Sequence, residues 1–280
     1  MILMKNTTGK PIQGKKIWIV KNSYVKTAKI AAELEKRCQN AGFVFDENAP
    51  EIVISVGGDG TLLAALHYYE NQLETVRFVG VHTGHLGFYA DFQEHELDKL
   101  VLALKHEKPS EAICYPLLKV EIKFSDGATQ THLALNESII KRASKTLVAD
   151  VEISDFLFEK FRGDGLSVST PTGSTAYNKS IGGAVMHPRV RGFQVTEVAS
   201  LNNLVYRTLG APMIIAEKDT VKFVLEHADD YLLTVDQLEF SYDNISEIIY
   251  SLNGGEIAFV NGGHTSFWHR VKNSFIGDVK

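Results

Sequence analysis

Cysteine is nearly absent. Cys38 and Cys114 are the only two in 280 residues, far apart and in no metal-binding spacing. That excludes a disulfide framework and reads as two buried thiols in a reducing compartment. No apolar run reaches the ~18 residues that a membrane span needs. Met1-Ile2-Leu3-Met4, closed by Lys5, is too short for a signal peptide. There is no excess of positive charge: 29 basic residues face 34 acidic ones, for a net charge of −5. A general nucleic-acid binder would usually be basic, although a nucleotide ligand needs only a local cluster of donors. No internal repeat and no low-complexity tract appears. The expectation is a soluble, cytoplasmic protein with neither nucleic acid nor membrane as a partner. With 44% apolar residues, the chain can fill one large core or two ordinary ones.

The most informative stretch is Ile52-Val53-Ile54-Ser55-Val56-Gly57-Gly58-Asp59-Gly60-Thr61-Leu62-Leu63. Its β-branched start predicts a strand buried on both faces. Gly57, Gly58 and Gly60 give a turn that a ligand can approach, and Leu62 onward supplies helix formers. Backbone N–H groups at such a helix start favour an anion. Asp59 conflicts with that, since a carboxylate repels phosphate unless it handles a metal or a proton. The plainer alternative is that Asp59 or Thr61 caps the helix. Neither common phosphate loop fits: no Lys follows as in a P-loop, and Leu63 stands where a dinucleotide fingerprint has Gly or Ala.

Residues 16–21 predict a first strand. Ser23 is placed to cap a helix over residues 24–41, which Gly42 stops. The central strand follows Pro50, and its helix is expected to run to about Glu70. Phe78–Val81 predicts a strand that ends in a second glycine turn, His82-Thr83-Gly84-His85-Leu86-Gly87-Phe88. His82 and His85 read as turn residues, because no third metal ligand has suitable spacing. Residues 93–105 predict an amphipathic helix. This strand–helix alternation implies a parallel sheet with ligands at its C-terminal edge. The character changes near residue 108. From there the runs Leu118–Phe124, Leu133–Ile140, Val148–Ile153, Val221–Leu225, Leu232–Val235 and Glu247–Leu252 predict antiparallel β structure. The expected organisation is a Rossmann-like parallel α/β domain (1–107), an antiparallel β-rich domain (108–254) and a segment (255–280) whose aromatic residues dock onto the body.

The segment Arg162 to Asn178 is crowded with Ser, Thr and Gly. A linker this long inside a compact domain is uncommon unless it is functional. Its hydroxyls and N–H groups suit ribose and phosphate oxygens, and Tyr177 suits a base. Lys141, Arg142 and Lys145 read as a solvated face, with a role in contacting ATP left open.

Taken together, three motifs resemble the bacterial NAD kinase family. They are Gly57-Gly58-Asp59-Gly60-Thr61, then Asn136-Glu137, then Asp164-Gly165 through Ser169-Thr170-Pro171-Thr172-Gly173-Ser174-Thr175-Ala176-Tyr177. The likeness runs from about residue 16 to 276. The first motif is shared with diacylglycerol kinases and phosphofructokinases, whereas the third is specific. The resemblance implies an N-terminal α/β domain, a β-rich second domain and a last segment returning to the first. It also implies phosphoryl transfer from ATP to the adenosine 2′-hydroxyl of NAD, giving NADP. A divalent cation, expected to be Mg²⁺, accompanies ATP, and homo-oligomers, commonly tetramers, are usual.

By matching position, the resemblance makes Asp59 the general base. Gly57, Gly58, Gly60 and Thr61 face the donor phosphates. Asn136 and Glu137 hold the ribose of NAD; a strand-end acid is the plain alternative for Glu137. Asp164, Thr172, Thr175, Ala176 and Tyr177 grip the two ends of NAD, with Ser180 and Ala199 close by. Gly60 and Phe88 line the same pocket, and Arg162 and Gln237 lie near sugar or phosphate. Polyphosphate remains open as an alternative donor. Two competing readings are a diacylglycerol-type lipid kinase and a non-catalytic NAD-binding sensor.

Overall fold

A computed structural model describes residues 14–84, 87–226, 228, 230–262 and 266–277. Met1–Met4, His85 and Leu86 lie outside the described residues. In chain order the elements begin β1 (Lys16–Lys21), α1 (Val25–Asn40), β2 (Val44–Phe45), β3 (Ile52–Gly57), α2 (Asp59–Tyr68), β4 (Arg77–His82), β5 (Ala90–Gln93) and α3 (Leu97–His106). Then come β6 (Ile113–Pro116), β7 (Leu118–Phe124), β8 (Thr129–Ala134), β9 (Glu137–Arg142), β10 (Leu147–Ile153), β11 (Phe156–Gly163), β12 (Gly165–Ser169) and the single turn α4 (Tyr177–Ser180). The chain continues through β13 (Gly192–Val198), β14 (Met213–Ala216), β15 (Val221–Leu225), β16 (Tyr231–Val235), β17 (Leu238–Tyr242), β18 (Ile245–Ser251), β19 (Glu256–Phe259) and α5 (Phe267–Phe275).

Two compact units result. One comprises residues 1–113 with 258–280, the other residues 114–257. In the first, a sheet of order β2-β1-β3-β4-β19-β6, with β5 also on β4, is parallel at β1–β2, β1–β3, β3–β4, β4–β5 and β4–β19. Every residue of β3 is buried, as a continuous β-branched run requires when both faces are covered. α1 contributes Ala31, Leu34 and Cys38 to the core beneath it, while α3 contributes Leu97, Leu100 and Leu104. Glu107, just past α3, is clamped between Lys15 Nζ (2.8 Å) and Arg77 Nε (2.5 Å).

The second unit packs two antiparallel sheets, β11-β10-β15-β18-β7-β8 and β14-β13-β12-β9-β16-β17. Leu118, Val120 and Ile122 of β7, and Leu147, Ala149 and Val151 of β10, alternate inward. They join Ile140, Leu166, Val168, Phe193 and Val195 from the other sheet in one core, the two-residue period of a sandwich. Among the described residues no helix is long and apolar enough to cross a membrane.

Local expectations need five corrections. Cys38 is buried, but Cys114, on edge strand β6, is exposed rather than buried. The N-cap of α1 is Tyr24, with no side-chain cap; Asn22 Oδ1, not Ser23, ties the entry by accepting Tyr24 N–H at 3.2 Å. The expected 93–105 helix begins at Leu97, because Ala90–Gln93 is a strand. The apolar run Leu133–Ile140 is two strands, so Asn136 precedes β9 and Glu137 opens it rather than closing a strand. Part of the hydroxyl-rich segment is ordinary sheet, the buried strand β12.

Candidate active site

In the first unit, β3 delivers Gly57 to the C-terminal edge of the sheet and α2 starts at Asp59. The N-cap is Gly58, with no side-chain cap, so the capping reading of Asp59 and Thr61 does not hold. Instead the Asp59 carboxylate reaches sideways. Oδ2 accepts the Phe88 backbone N–H at 2.8 Å, and Oδ1 accepts that of Tyr89 at 3.1 Å. Gly87 must be glycine at this approach, because a Cβ there would stand 2.2 Å from Asp59 Oδ1. A Cβ at Gly58 or Gly60 would meet nothing within 4 Å, so the turn is open to a ligand beside a helix N-terminus. His82 Nδ1 lies 3.0 Å from the Gly84 carbonyl, to which it donates. Among the described residues no three His, Cys, Asp or Glu side chains gather as a metal site.

In the second unit, the turn between β8 and β9 is held by Asp236. This carboxylate accepts the backbone N–H groups of Leu135 (3.0 Å), Asn136 (2.7 Å) and Glu137 (3.3 Å). Asp236 itself has left-handed backbone in the tight β16–β17 turn, which leaves Gln237 exposed at the tip. Short polar residues such as Asp tolerate that conformation. The Glu137 side chain is buried, and one carboxyl oxygen, Oε2, has no hydrogen-bond partner among the described residues. Burial above all, and then the neighbouring Asp236, push its carboxyl up to about 8; the N–H groups of Asn178 and Tyr177 pull the other way. A buried acid with an unused oxygen can accept from a ligand hydroxyl.

The segment Thr170–Tyr177 packs directly on Asn136: a Cβ at Gly173 would fall 2.0 Å from the Asn136 carbonyl oxygen. Its Ser and Thr hydroxyl protons are donated within the loop and to the Leu135 carbonyl, which leaves their lone pairs as acceptors. Thr170 and Thr172 both donate to the Leu135 carbonyl, at 2.5 and 3.0 Å, and Thr175 donates to the Thr172 carbonyl. Ser174 Oγ lies 2.7 Å from the Pro171 carbonyl. Thr172 and Thr175 therefore build the loop. Ala176 is half-buried, and Tyr177, 44% exposed, and Ser180 face outward.

The structure thus brings Asn136, Glu137, Thr172, Thr175, Ala176, Tyr177, Ser180 and Gln237 to one end of the β9–β12 ladder, where Glu137 pairs with Ser169. It does not bring Arg162, Asp164 and Ala199 there. Asp164 and Ala199 flank the opposite end, where Gly165 pairs with Val198, about 15 Å away at the rise of a strand. Arg162 packs against Tyr206, 5.3 Å from ring centroid to guanidinium, and shares a depression with Arg142 and Lys145. Arg142 is ion-paired with Asp230 at 2.5 Å. Asp236, which orders the Asn136–Glu137 turn, was hidden in the sequence; its only signal is an acid at a turn between two β-branched or apolar runs.

Residues 14–108 match the ATP-NAD kinase N-terminal domain, and residues 135–253 match the ATP-NAD kinase C-terminal domain. An NAD kinase of Lactococcus lactis subsp. cremoris is 61% identical over 95% of this chain and 99% of its own length. One from Enterococcus faecalis is 52% identical over 94% and 99%. The fold is also that of a yeast NADH kinase solved with NADH (TM-score 0.80, 18% identity, 96% of this chain and 90% of that one). An Archaeoglobus fulgidus NAD kinase solved with ATP gives 0.69 at 21% identity, over 93% and 97%. With both halves of the chain matched and close relatives aligned almost end to end, this chain belongs to the ATP-NAD kinase family.

Proposed function

We propose that this chain is an NAD kinase in which Asp59 is the general base. The observation that carries the assignment is the setting of its carboxylate: at the start of α2, between two open glycines, oriented by the Phe88 and Tyr89 N–H groups. Both of those donors leave carboxylate lone pairs for a substrate hydroxyl. Asp59 takes the proton of the adenosine 2′-hydroxyl as that oxygen bonds to the γ-phosphorus of ATP. The bond from the γ-phosphorus to the bridging oxygen breaks, ADP leaves, and NADP forms. Such transfers depend chiefly on positioning and charge stabilisation, which Gly57, Gly58, Gly60 and Thr61 supply for the donor. Glu137 Oε2 accepts from a ribose hydroxyl, Asn136 and Gln237 line the sugar, and Tyr177 stacks on a base. Phe88 stands beside Asp59 on the acceptor side, and in the second unit Ala176 and Ser180 flank Tyr177.

A divalent cation, Mg²⁺, would be held by the triphosphate oxygens of the donor, its usual ligands, and would supply charge neutralisation there. That fits a site in which backbone donors aim the Asp59 carboxylate toward the acceptor and, among the described residues, no three His, Cys, Asp or Glu side chains form a metal cage. The chain works as a homo-oligomer, a tetramer, in the cytoplasm. Two features support assembly: the exposed Phe156, Leu157 and Phe158 on edge strand β11, and the exposed Leu204 and Val205. Assembly also gives a role to Asp164, Ala199 and Arg162, which a second copy presents to the NAD held by the first. The assignment is tested by incubating the protein with NAD, ATP and Mg²⁺ and reading NADP with an NADP-specific dehydrogenase. NADP from polyphosphate but not ATP would change the donor alone. Tight NAD binding without turnover would favour a sensor, and turnover of diacylglycerol but not NAD a lipid kinase.

A further inference from the structure

Helix α5 carries one charged side chain into the core of the first unit. Arg270 is 2% exposed. Its guanidinium is ion-paired with Asp91, which is equally buried. Nη1 donates to three carbonyls of one short segment: Gly87 (3.2 Å), Phe88 (2.8 Å) and Ala90 (2.8 Å). The same segment gives its Phe88 and Tyr89 N–H groups to Asp59.

These contacts are paired peptide by peptide. The Gly87–Phe88 peptide accepts from Arg270 through its C=O and donates to Asp59 Oδ2 through its N–H. The Phe88–Tyr89 peptide does the same toward Oδ1. In a trans peptide the C=O and N–H point in opposite directions, so each of these two units bridges the cation to the carboxylate. Hydrogen bonds in series polarise one another in a low-dielectric interior. A planar fork with several fixed donors suits this task, whereas an ammonium does not. The ring of Phe88 is stacked on Phe275 (5.7 Å) and lies 6.4 Å from Phe267, so α5 fixes that residue's side chain as well.

We propose that Arg270 is a positioning residue for phosphoryl transfer: through the Gly87–Phe88 and Phe88–Tyr89 peptides it holds the Asp59 carboxylate in line for the acceptor hydroxyl. The inference rests on Asp59 being the base. It assigns to the returning C-terminal segment a part in catalysis beyond closing the sheet. Arg270 touches neither substrate, so its loss lowers kcat and spares KM.

The test uses the full chain, with ATP, NAD and Mg²⁺, in four variants: Arg270→Lys, Asp91→Asn, Asp59→Asn and the double variant Arg270→Lys with Asp59→Asn. Arg270→Lys is expected to lower kcat by about tenfold or more with both KM values within about twofold. In the Asp59→Asn background the same change should cost less than about twofold, because the group it orients is gone. Asp91→Asn keeps the cation and removes its anchor, so it reads the same way, to a smaller degree, if Arg270→Lys does not fold. A folded Arg270→Lys protein with unchanged kcat would overturn the proposal. So would a loss that multiplies in full with that of Asp59→Asn. Wild-type turnover in Asp59→Asn alone is a different outcome: it removes the base assignment on which the inference stands.

Discussion

Glu137 opens β9 beside Asp236, and the two acids do opposite work. Asp236 has its oxygens on the backbone N–H groups of residues 135–137, while Glu137 keeps a buried oxygen with no partner. If ribose hydroxyls donate to that oxygen, they favour the ionised form. At pH 7 the free protein holds the Glu137 proton, since burial first and Asp236 second keep the carboxyl up to about 8. NAD binding should therefore release a proton. Calorimetry in two buffers of different ionisation heat should give different apparent enthalpies, and the difference should vanish in Glu137→Gln. Equal enthalpies for the parent would remove Glu137 from the ribose site.

The same raised value has a consequence for stability. The fold favours the protonated carboxyl, so its contribution is complete below its ordinary value of 4.5 and is lost as pH rises through about 8. Glu137→Gln keeps a neutral group of similar shape. It should match the parent in thermal unfolding near pH 5 and exceed it near pH 9. The gain should be on the order of a few kcal/mol, at about 1.4 kcal/mol per pKa unit.

Tyr177 is the exposed aromatic of the third motif. Tyr177→Ala should leave the melting temperature near that of the parent and raise KM for NAD roughly tenfold, the scale of one base–aromatic stack. An unchanged KM would take the ring out of the pocket.

The separation of Asp164 from Glu137 along β12 predicts complementation between subunits. Asp59→Asn and Asp164→Ala should each be poorly active alone. Unfolded, mixed and refolded together, they should recover part of the activity, because a mixed assembly holds sites with both native acids. No recovery in assemblies shown to be mixed would place Asp164 in the same subunit's site or outside it.

The parallel sheet was legible because β1, β3 and β4 are short apolar runs closed by polar or glycine punctuation. β5 was not: four residues ending at Gln93 carry too little pattern to separate from the helix that follows. The run Leu133–Ile140 reads as one strand, and only Asp236, lying 100 residues beyond Asn136, turns the chain there. The hydroxyls of Thr172 and Thr175 promised ligand contacts by composition alone. Their bonds to Leu135 and Thr172 carbonyls depend on a loop folded against Asn136. Asp59 was singled out by its conflict with a phosphate turn, but its turning away from the helix start, to the N–H groups of residues 88 and 89, was not legible. Arg270 gave no local signal at all, because its partners, three backbone carbonyls and the Asp91 carboxylate, lie about 180 residues earlier.

In an NAD kinase reaction with Asp59 as base, phosphoryl transfer depends on that one carboxylate. The most direct measurement is the rate of NADP formation from NAD and ATP in Asp59→Asn beside the parent protein, with NAD affinity measured on both. A turnover reduced by roughly 10²–10⁴-fold at near-normal NAD affinity is predicted, the range for loss of a general base. Parental turnover in the variant would contradict it.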